Sequence, residues 1–384
     1  MFLFLESFYG GSHQAFADGL VKHSQHPIEL QTLPAERWRH RRRTAGLAFA
    51  RRIANPQQYR GVLVTDLIDI RDLRAVWKER CPPLLLYMHE SQMTYPSPKG
   101  ETRDIDSALL DIKNALFADR IAFNSHFHRD RFLSEAEPVL EELPHVDSAA
   151  SLEHLREHST VLYPGVEVPG EPATGASADL PTGGAGGGAQ TAAGAAGDAA
   201  QRRSPVILWN HRWEYDKRPG LFFRALRELA GRGVAFRLMV LGENPQRRPK
   251  PFLRAKEELG DRMLVFGFEP DRERYLAHLR EADIVVSTAI QENFGIAVVE
   301  AMASGCLPLL PERLSYPELL PKGWHDLCLY STDARLRDRL QAMLDAPLPD
   351  TTPLASHMRR FSWTQMAPRY DAALEELARL GHAR

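Results

Sequence analysis

Short apolar runs alternate with longer stretches of helical spacing along most of the chain, the pattern of strands covered on both faces and joined by helices. In the first half the strand-like runs cover residues 2–5, 28–33, 61–65, 84–88, 121–124 and 161–163. In the second half they cover 206–209, 236–241, 263–266, 284–287, 307–310 and 327–330. Most are continuously apolar instead of alternating, so each half predicts a parallel sheet with helices on both sides. The fold class is therefore α/β, with two Rossmann-like doubly wound domains. In such sheets ligands bind beyond the carboxyl ends of the strands, so the residues just after each run are where chemistry is to be sought.

Between the halves, residues 169–204 hold no aromatic side chain and are dominated by Gly and Ala. They have too little apolar surface to order themselves and read as a disordered linker, with a coil dimension on the order of 30 Å. This divides the chain into domains at 1–168 and 205–361, followed by a tail at 362–384. In the tail Met366, Tyr370, Leu374, Leu377 and Leu380 recur every three or four residues, which predicts an amphipathic helix. Docked on the first domain, that helix would give the two lobes a second covalent crossing.

Size and composition agree with this division. A chain of 384 residues is long enough for two cores, and 43% hydrophobic with 26% charged residues is a globular balance. No segment approaches the roughly 20 apolar residues of a membrane span. The opening apolar run stops at Glu6 with no basic residue before it, so it reads as a first strand and not a signal peptide, and a cytoplasmic location is expected. Cys81, Cys306 and Cys328 form no metal or disulfide spacing. The net charge of −2 rules out the whole molecule as an electrostatic trap for nucleic acid. Its distribution says more, because five of the seven residues from Arg37 to Arg43 are arginine, interleaved with Trp38 and His40. This run is either a solvated basic face or a docking surface for a polyanion.

Three constellations follow predicted strands. Tyr9-Gly10-Gly11-Ser12-His13 opens a helix, and adjacent glycines there let backbone N–H groups approach an anion or simply make a tight turn. Arg212 and Lys217 follow the first strand of the second half, just before a helix that Pro219 can begin, placing two cations for a diphosphate. Glu292-Asn293-Phe294-Gly295 precedes Glu300, with Glu292 expected in a loop and Glu300 about two turns into a helix, where carboxylates accept from pairs of hydroxyls. Asp104-Ile105-Asp106 is formally a DxD metal motif, but it lies in a stretch of helical spacing, 102–117, and reads as two helical acids.

Gly267, Tyr275, Ala282-Asp283, Glu292-Asn293-Phe294-Gly295, Glu300-Ala301-Met302-Ala303-Ser304-Gly305 and Pro317-Glu318 together resemble the donor-binding domain of retaining GT-B glycosyltransferases. The resemblance implies that Arg212 and Lys217 neutralise the donor diphosphate, that Glu292 contacts the sugar and that Glu300 holds the ribose. Gly10, Gly11, Asn293, Phe294 and Gly295 complete the expected donor site. The first half is more specific. Phe8-Tyr9-Gly10-Gly11-Ser12-His13, Leu33-Pro34-Ala35 with Trp38, His89-Glu90-Ser91-Gln92 with Tyr95-Pro96, Phe123-Asn124-Ser125 and His211-Arg212-Trp213-Glu214 resemble the tRNA-queuosine mannosyltransferases. That family implies GDP-mannose as donor and the cyclopentenediol of queuosine in a tRNA anticodon as acceptor. It leads us to expect Ser12, His13, Glu90, Gln92, Arg41, Arg42 and Arg43 on the acceptor side, with His89 beside the sugar. Two cations at the diphosphate, aided by the helix dipole near Gly295, would stabilise the leaving group without a metal, so no cofactor is expected. Two other readings stay open: a GT-B transferase for a lipid or polysaccharide, since arginines also suit anionic lipid, and an inactive RNA-binding protein of the same fold.

Overall fold

The computed structural model describes residues 1–95, 105–168, 203–244 and 250–382. The expected linker lies outside the described residues except for Arg203 and Ser204, as do Pro96 and Asp104. The described residues form two six-stranded sheets whose strands pair parallel throughout. The first runs in the order β2-β1-β3-β4-β5-β6, with β1 Phe2–Tyr9, β2 Ile28–Pro34, β3 Val62–Thr65, β4 Leu84–Met88, β5 Arg120–Phe123 and β6 Ser159–Val161. The second runs β12-β11-β10-β7-β8-β9, with β7 Val206–Asn210, β8 Arg237–Leu241, β9 Met263–Gly267, β10 Ile284–Val286, β11 Leu307–Pro311 and β12 Leu329–Tyr330. In each sheet the order reverses beside the first strand of the domain, between β1 and β3 and between β7 and β10. These are the crevices in which a doubly wound sheet takes ligands.

Strands β1 and β12 differ from the periodicity for physical reasons. β1 continues past the apolar run through Glu6 and Ser7, both fully buried, because Ser7 donates to Leu67 O (2.7 Å) and the Glu6 carboxylate accepts from Phe8 N (2.7 Å). β12 is only two residues long, because His325–Cys328 is already a helical turn. Helix starts follow local chemistry. The side chains of Asp69, Ser125, Asp147 and Asp271 each accept a backbone N–H at the helix they open, and Pro219 occupies the first turn of its helix.

The C-terminal helix, Trp363–His382, packs on the first sheet, not the second. Met366, Tyr370, Leu374 and Leu377 are buried against Phe2, Phe4, Phe16 and Tyr87. Trp363 is wedged so tightly that a Cβ added to Gly19 or to Gly165 would lie 2.2 Å from its ring. The returning chain meets the departing one at a parallel bridge, Val166 to Ser362, with Val166 N donating to Phe361 O (2.8 Å).

Candidate active site

The first-domain wall of the cleft is built at the ends of β1, β3 and β4. Gly10 is extended and crowded, since a Cβ there would meet Ala35 at 2.6 Å, whereas Gly11 has φ +55 with nothing within 4 Å of a Cβ position. The pair thus makes the turn into helix α1 (Gly11–His23) and leaves open space over Gly11. Ser12 is exposed on the first turn of α1. His13 reaches back to the strand, its Nδ1 3.2 Å from Glu6 Oε2, and its ring lies over that of His89 with centroids 4.0 Å apart. Burial opposes a charge on His13, but the adjacent Glu6 carboxylate, with Asp66 and Glu90 farther off, outweighs it and lifts the imidazole to about 9. Burial and the neighbouring His13 charge push His89 the other way, well below the usual histidine range, so His89 is neutral. Asp66, buried beyond β3, accepts from His89 N (3.0 Å), and its desolvation raises its carboxyl to about 7. Glu90 and Gln92 stand next to each other, Gln92 Nε2 donating to Glu90 Oε1 (3.3 Å).

The second-domain wall is built at the ends of β7 and β10. Arg212 is exposed and pairs with Glu214 (3.1 Å). Lys217 is buried, donates to Gln291 O (2.7 Å), and lies 3.3 Å from Glu292 Oε2 and 3.2 Å from Asp216 Oδ2. Burial works against its charge, and Glu292 and Asp216 more than restore it. Gly295, at φ +99, turns the loop into the helix Ile296–Ala303. Glu300 is the fifth residue of that helix, little more than one turn in and not two, and its carboxylate is held by Arg272 and by Tyr275 Oη (3.2 Å). Glu292 and Glu300 therefore have separate partners, as two contacts along an extended ligand require.

The walls touch. Asn293 Nδ2 donates across the cleft to His89 O (3.1 Å), and the Glu318 carboxylate accepts from His126 N (3.1 Å) and Phe127 N (2.9 Å) at the start of the helix His126–Glu141. Two expected site residues turn inward instead. The Phe294 ring is buried against Tyr163 and Phe361, so it fills the core and offers a donor no side-chain contact. Arg42, on helix α2 (Trp38–Arg52), is 2% exposed and bonded to the Asp111 carboxylate and to Ser107 O, which removes it from contact with an acceptor. It still serves the cleft indirectly, because Asp111 Oδ2 accepts from Ser91 Oγ (2.8 Å) and Gln92 N (2.9 Å) and so anchors the segment bearing Glu90 and Gln92. Arg41 is partly committed to Pro34 O (3.3 Å) and Glu36 (3.8 Å); Arg43 is exposed, 3.9 Å from Asp106. Asp106 lies in the helix Ile105–Phe117.

Glu6, His13 and His89 are the one group among the described residues whose donor atoms cluster, within 4.8 Å, as a metal site would need. His13 Nδ1 faces the Glu6 carboxylate at 3.2 Å, and its ring lies tilted against that of the neutral His89. A surface depression of about 930 Å³, lined by Pro205, Ala235 and Asp283, lies at the opposite, amino ends of β7, β8 and β10 and plays no part in the cleft. Sequence reading missed Glu6, Asp66 and Arg272, and quoted Asn124 in a family motif without a role; its Nδ2 donates to His89 O (2.8 Å). Glu6 and Asp66 had a signal: each is an acid within or directly after an apolar strand.

Residues 1–166 match the family described as tRNA-queuosine alpha-mannosyltransferase N-terminal, and residues 197–358 match glycosyl transferases group 1. A tRNA-queuosine alpha-mannosyltransferase of Drosophila melanogaster is 32% identical over 340 residues, covering 88% of this chain and 85% of the relative. A GDP-mannose:cellobiosyl-diphosphopolyprenol alpha-mannosyltransferase of Xanthomonas campestris is 24% identical over 46% of this chain and 48% of its own length. Among solved structures, the sucrose-phosphate synthase of Thermosynechococcus elongatus superposes with a TM-score of 0.70 at 14% identity, covering 99% and 100% of the two chains. Anabaena HepE in complex with UDP gives 0.61 at 14% identity over 98% and 99%. The two facing parallel sheets are thus the GT-B fold, and the chain belongs to the tRNA-queuosine alpha-mannosyltransferase family.

Proposed function

We propose that the protein is a retaining hexosyltransferase that moves mannose from GDP-mannose to the cyclopentenediol of queuosine in a tRNA anticodon, in the cytoplasm and without a metal. The observation that carries this reading is the match of residues 1–166, the half that would hold the acceptor, to the family's own N-terminal domain. The chemistry of the cleft supports it. Breaking the anomeric bond leaves charge on the diphosphate and oxocarbenium character on the sugar. Lys217, kept charged by Glu292 and Asp216, and the exposed Arg212 are suited to the first, and losing one such contact typically costs ~3 kcal/mol of barrier. Gly11, with open space over it, would admit a phosphate, and the neutral His89 would hydrogen-bond the sugar. With retention the acceptor attacks from the leaving-group side and a phosphate oxygen takes its proton, so no protein base is needed.

The test is to incubate the protein with GDP-mannose and queuosine-containing tRNA and to analyse the nucleosides by mass. A hexose added to queuosine, undiminished by EDTA, is the expected result. Loss of activity on chelation, restored by manganese, would overturn the metal-free mechanism. Transfer only to a lipid-linked acceptor, or GDP binding with no transfer to any acceptor, would overturn the tRNA reading.

A further inference from the structure

The backbone of His89 is gripped on both sides. Its N–H donates to Asp66 Oδ1 (3.0 Å), and its carbonyl accepts from two side-chain amides, Asn124 Nδ2 (2.8 Å) and Asn293 Nδ2 (3.1 Å). Asp66, His89 and Asn124 directly follow β3, β4 and β5 of one sheet. Asn293 comes from the other domain, one residue after Glu292, in the loop that Lys217 fastens through Gln291 O (2.7 Å) and the Glu292 carboxylate (3.3 Å). Both amides are 7% exposed, so neither is a surface contact exchanged freely with water. Their far ends are also fixed: Asn124 Oδ1 faces His128 Nδ1 (2.9 Å), and Asn293 Oδ1 accepts from Gln291 Nε2 (3.3 Å).

We infer that Asn293 is a positioning residue and not a donor ligand: it couples the donor loop to His89, so that closing the cleft over a nucleoside diphosphate completes the setting of this first-domain histidine. The inference rests on the nucleotide-sugar reading above. The Asn293 amide nitrogen and oxygen each already hold a protein partner, and removing the side chain would leave the His89 carbonyl with one partner where it now has two. The loop that holds it is pinned by the cation expected to meet the diphosphate, so occupancy at Lys217 and the placement of His89 share one mechanical element. Coupling of this kind is reciprocal: if GDP favours the closed arrangement and with it tRNA binding, tRNA must favour GDP by the same factor.

The experiment measures GDP affinity by calorimetry, tRNA affinity with and without GDP, and steady-state transfer, for the wild type, Asn293→Ala and Asn293→Asp. In Asn293→Ala the GDP affinity should stay within about twofold of wild type, while kcat falls by roughly a hundredfold, the scale of a misplaced catalytic group. GDP should tighten tRNA binding to the wild type and not to Asn293→Ala. Asn293→Asp sets a carboxylate against a carbonyl and should lose at least as much kcat, again with GDP affinity retained. Combining Asn124→Ala with Asn293→Ala should depart from the sum of the two, because both act on one carbonyl and the double variant removes both of its donors. A weakened GDP affinity in Asn293→Ala, with kcat preserved at saturating donor, would return Asn293 to the donor site and overturn the inference. Wild-type protein that binds no GDP would instead overturn the nucleotide-sugar reading on which it rests.

Discussion

Glu6 interrupts an otherwise apolar strand, and its burial has a consequence that a sequence pattern does not display. A fully buried carboxylate needs compensation, and His13, seven residues on, supplies it at 3.2 Å. Burial opposes the imidazolium, but Glu6 outweighs that effect and holds it to about 9, above its ordinary 6.5. A folded value above the unfolded one means that the stabilisation is fully present below about pH 6.5 and is lost as pH rises through about 9. His13→Gln should therefore melt below the wild type near pH 6.5, and the gap should close by roughly pH 10. A gap that stays constant with pH would show that the pair does not act as charges. The same scale shows where sequence reading reached and where it stopped. The positions of Arg212, Lys217, Glu292 and Glu300 in the loops and helix that follow β7 and β10 are legible because their spacing from a strand end needs no tertiary knowledge. Arg42 and Phe294 were assigned outward because a run of arginines and a loop aromatic carry no mark of which member turns inward. That is decided by Asp111 and by Tyr163 and Phe361, which the chain brings in from far away.

At the scale of elements, helix α2 divides its arginines by helical geometry. Arg42 faces the helix Ile105–Phe117, while Arg37, Arg39 and Arg43 are exposed, and Arg39 lies over the Trp38 ring at 5.3 Å. The basic run is thus part structural bolt and part solvent-facing charge. Replacing Arg37, Arg39 and Arg43 together should raise the KM for tRNA and flatten its salt dependence by about one released counterion per lost phosphate contact, with donor affinity unchanged. Arg42→Ala should behave differently, losing about 3–5 kcal/mol of stability because it strands Asp111 as a buried charge. Unaltered tRNA affinity across a salt series in the triple variant would mark the exposed arginines as a merely solvated face or redirect them to anionic lipid. Strands were the most legible elements, because strands buried on both faces announce themselves as apolar runs. Their ends were less so: β6 begins two residues before the apolar run at 161–163, since pairing with β5 through Ser159 and Thr160 takes no account of hydropathy.

In the whole molecule the two lobes are joined at several points of different kinds. The segment around Ser362 crosses between them covalently, pairs with Val166, and continues into a helix whose Trp363 sits against Gly19 and Gly165 of the first domain. Glu318 binds the start of the helix His126–Glu141, and Asn293 binds His89. None of these contacts could be read from one lobe's sequence alone, although the amphipathic spacing of 366–380 did require a docking surface somewhere. With the C-terminal crossing in place, the Gly/Ala-rich stretch is not the sole tether, and its composition holds no charged or aromatic cluster that could serve as a site. The closure entropy of a connection changes only slowly with its length, by about 0.6 kcal/mol per doubling. Deleting residues 174–199 should therefore leave the melting temperature unchanged and the rate of transfer within a few-fold of wild type, measured on the same tRNA and donor. A hundredfold loss of transfer at unchanged melting temperature would mean that this stretch takes part in the reaction, either by contacting the acceptor or by setting the closure of the cleft. Loss of both together would mean that the C-terminal helix cannot hold the lobes in register by itself.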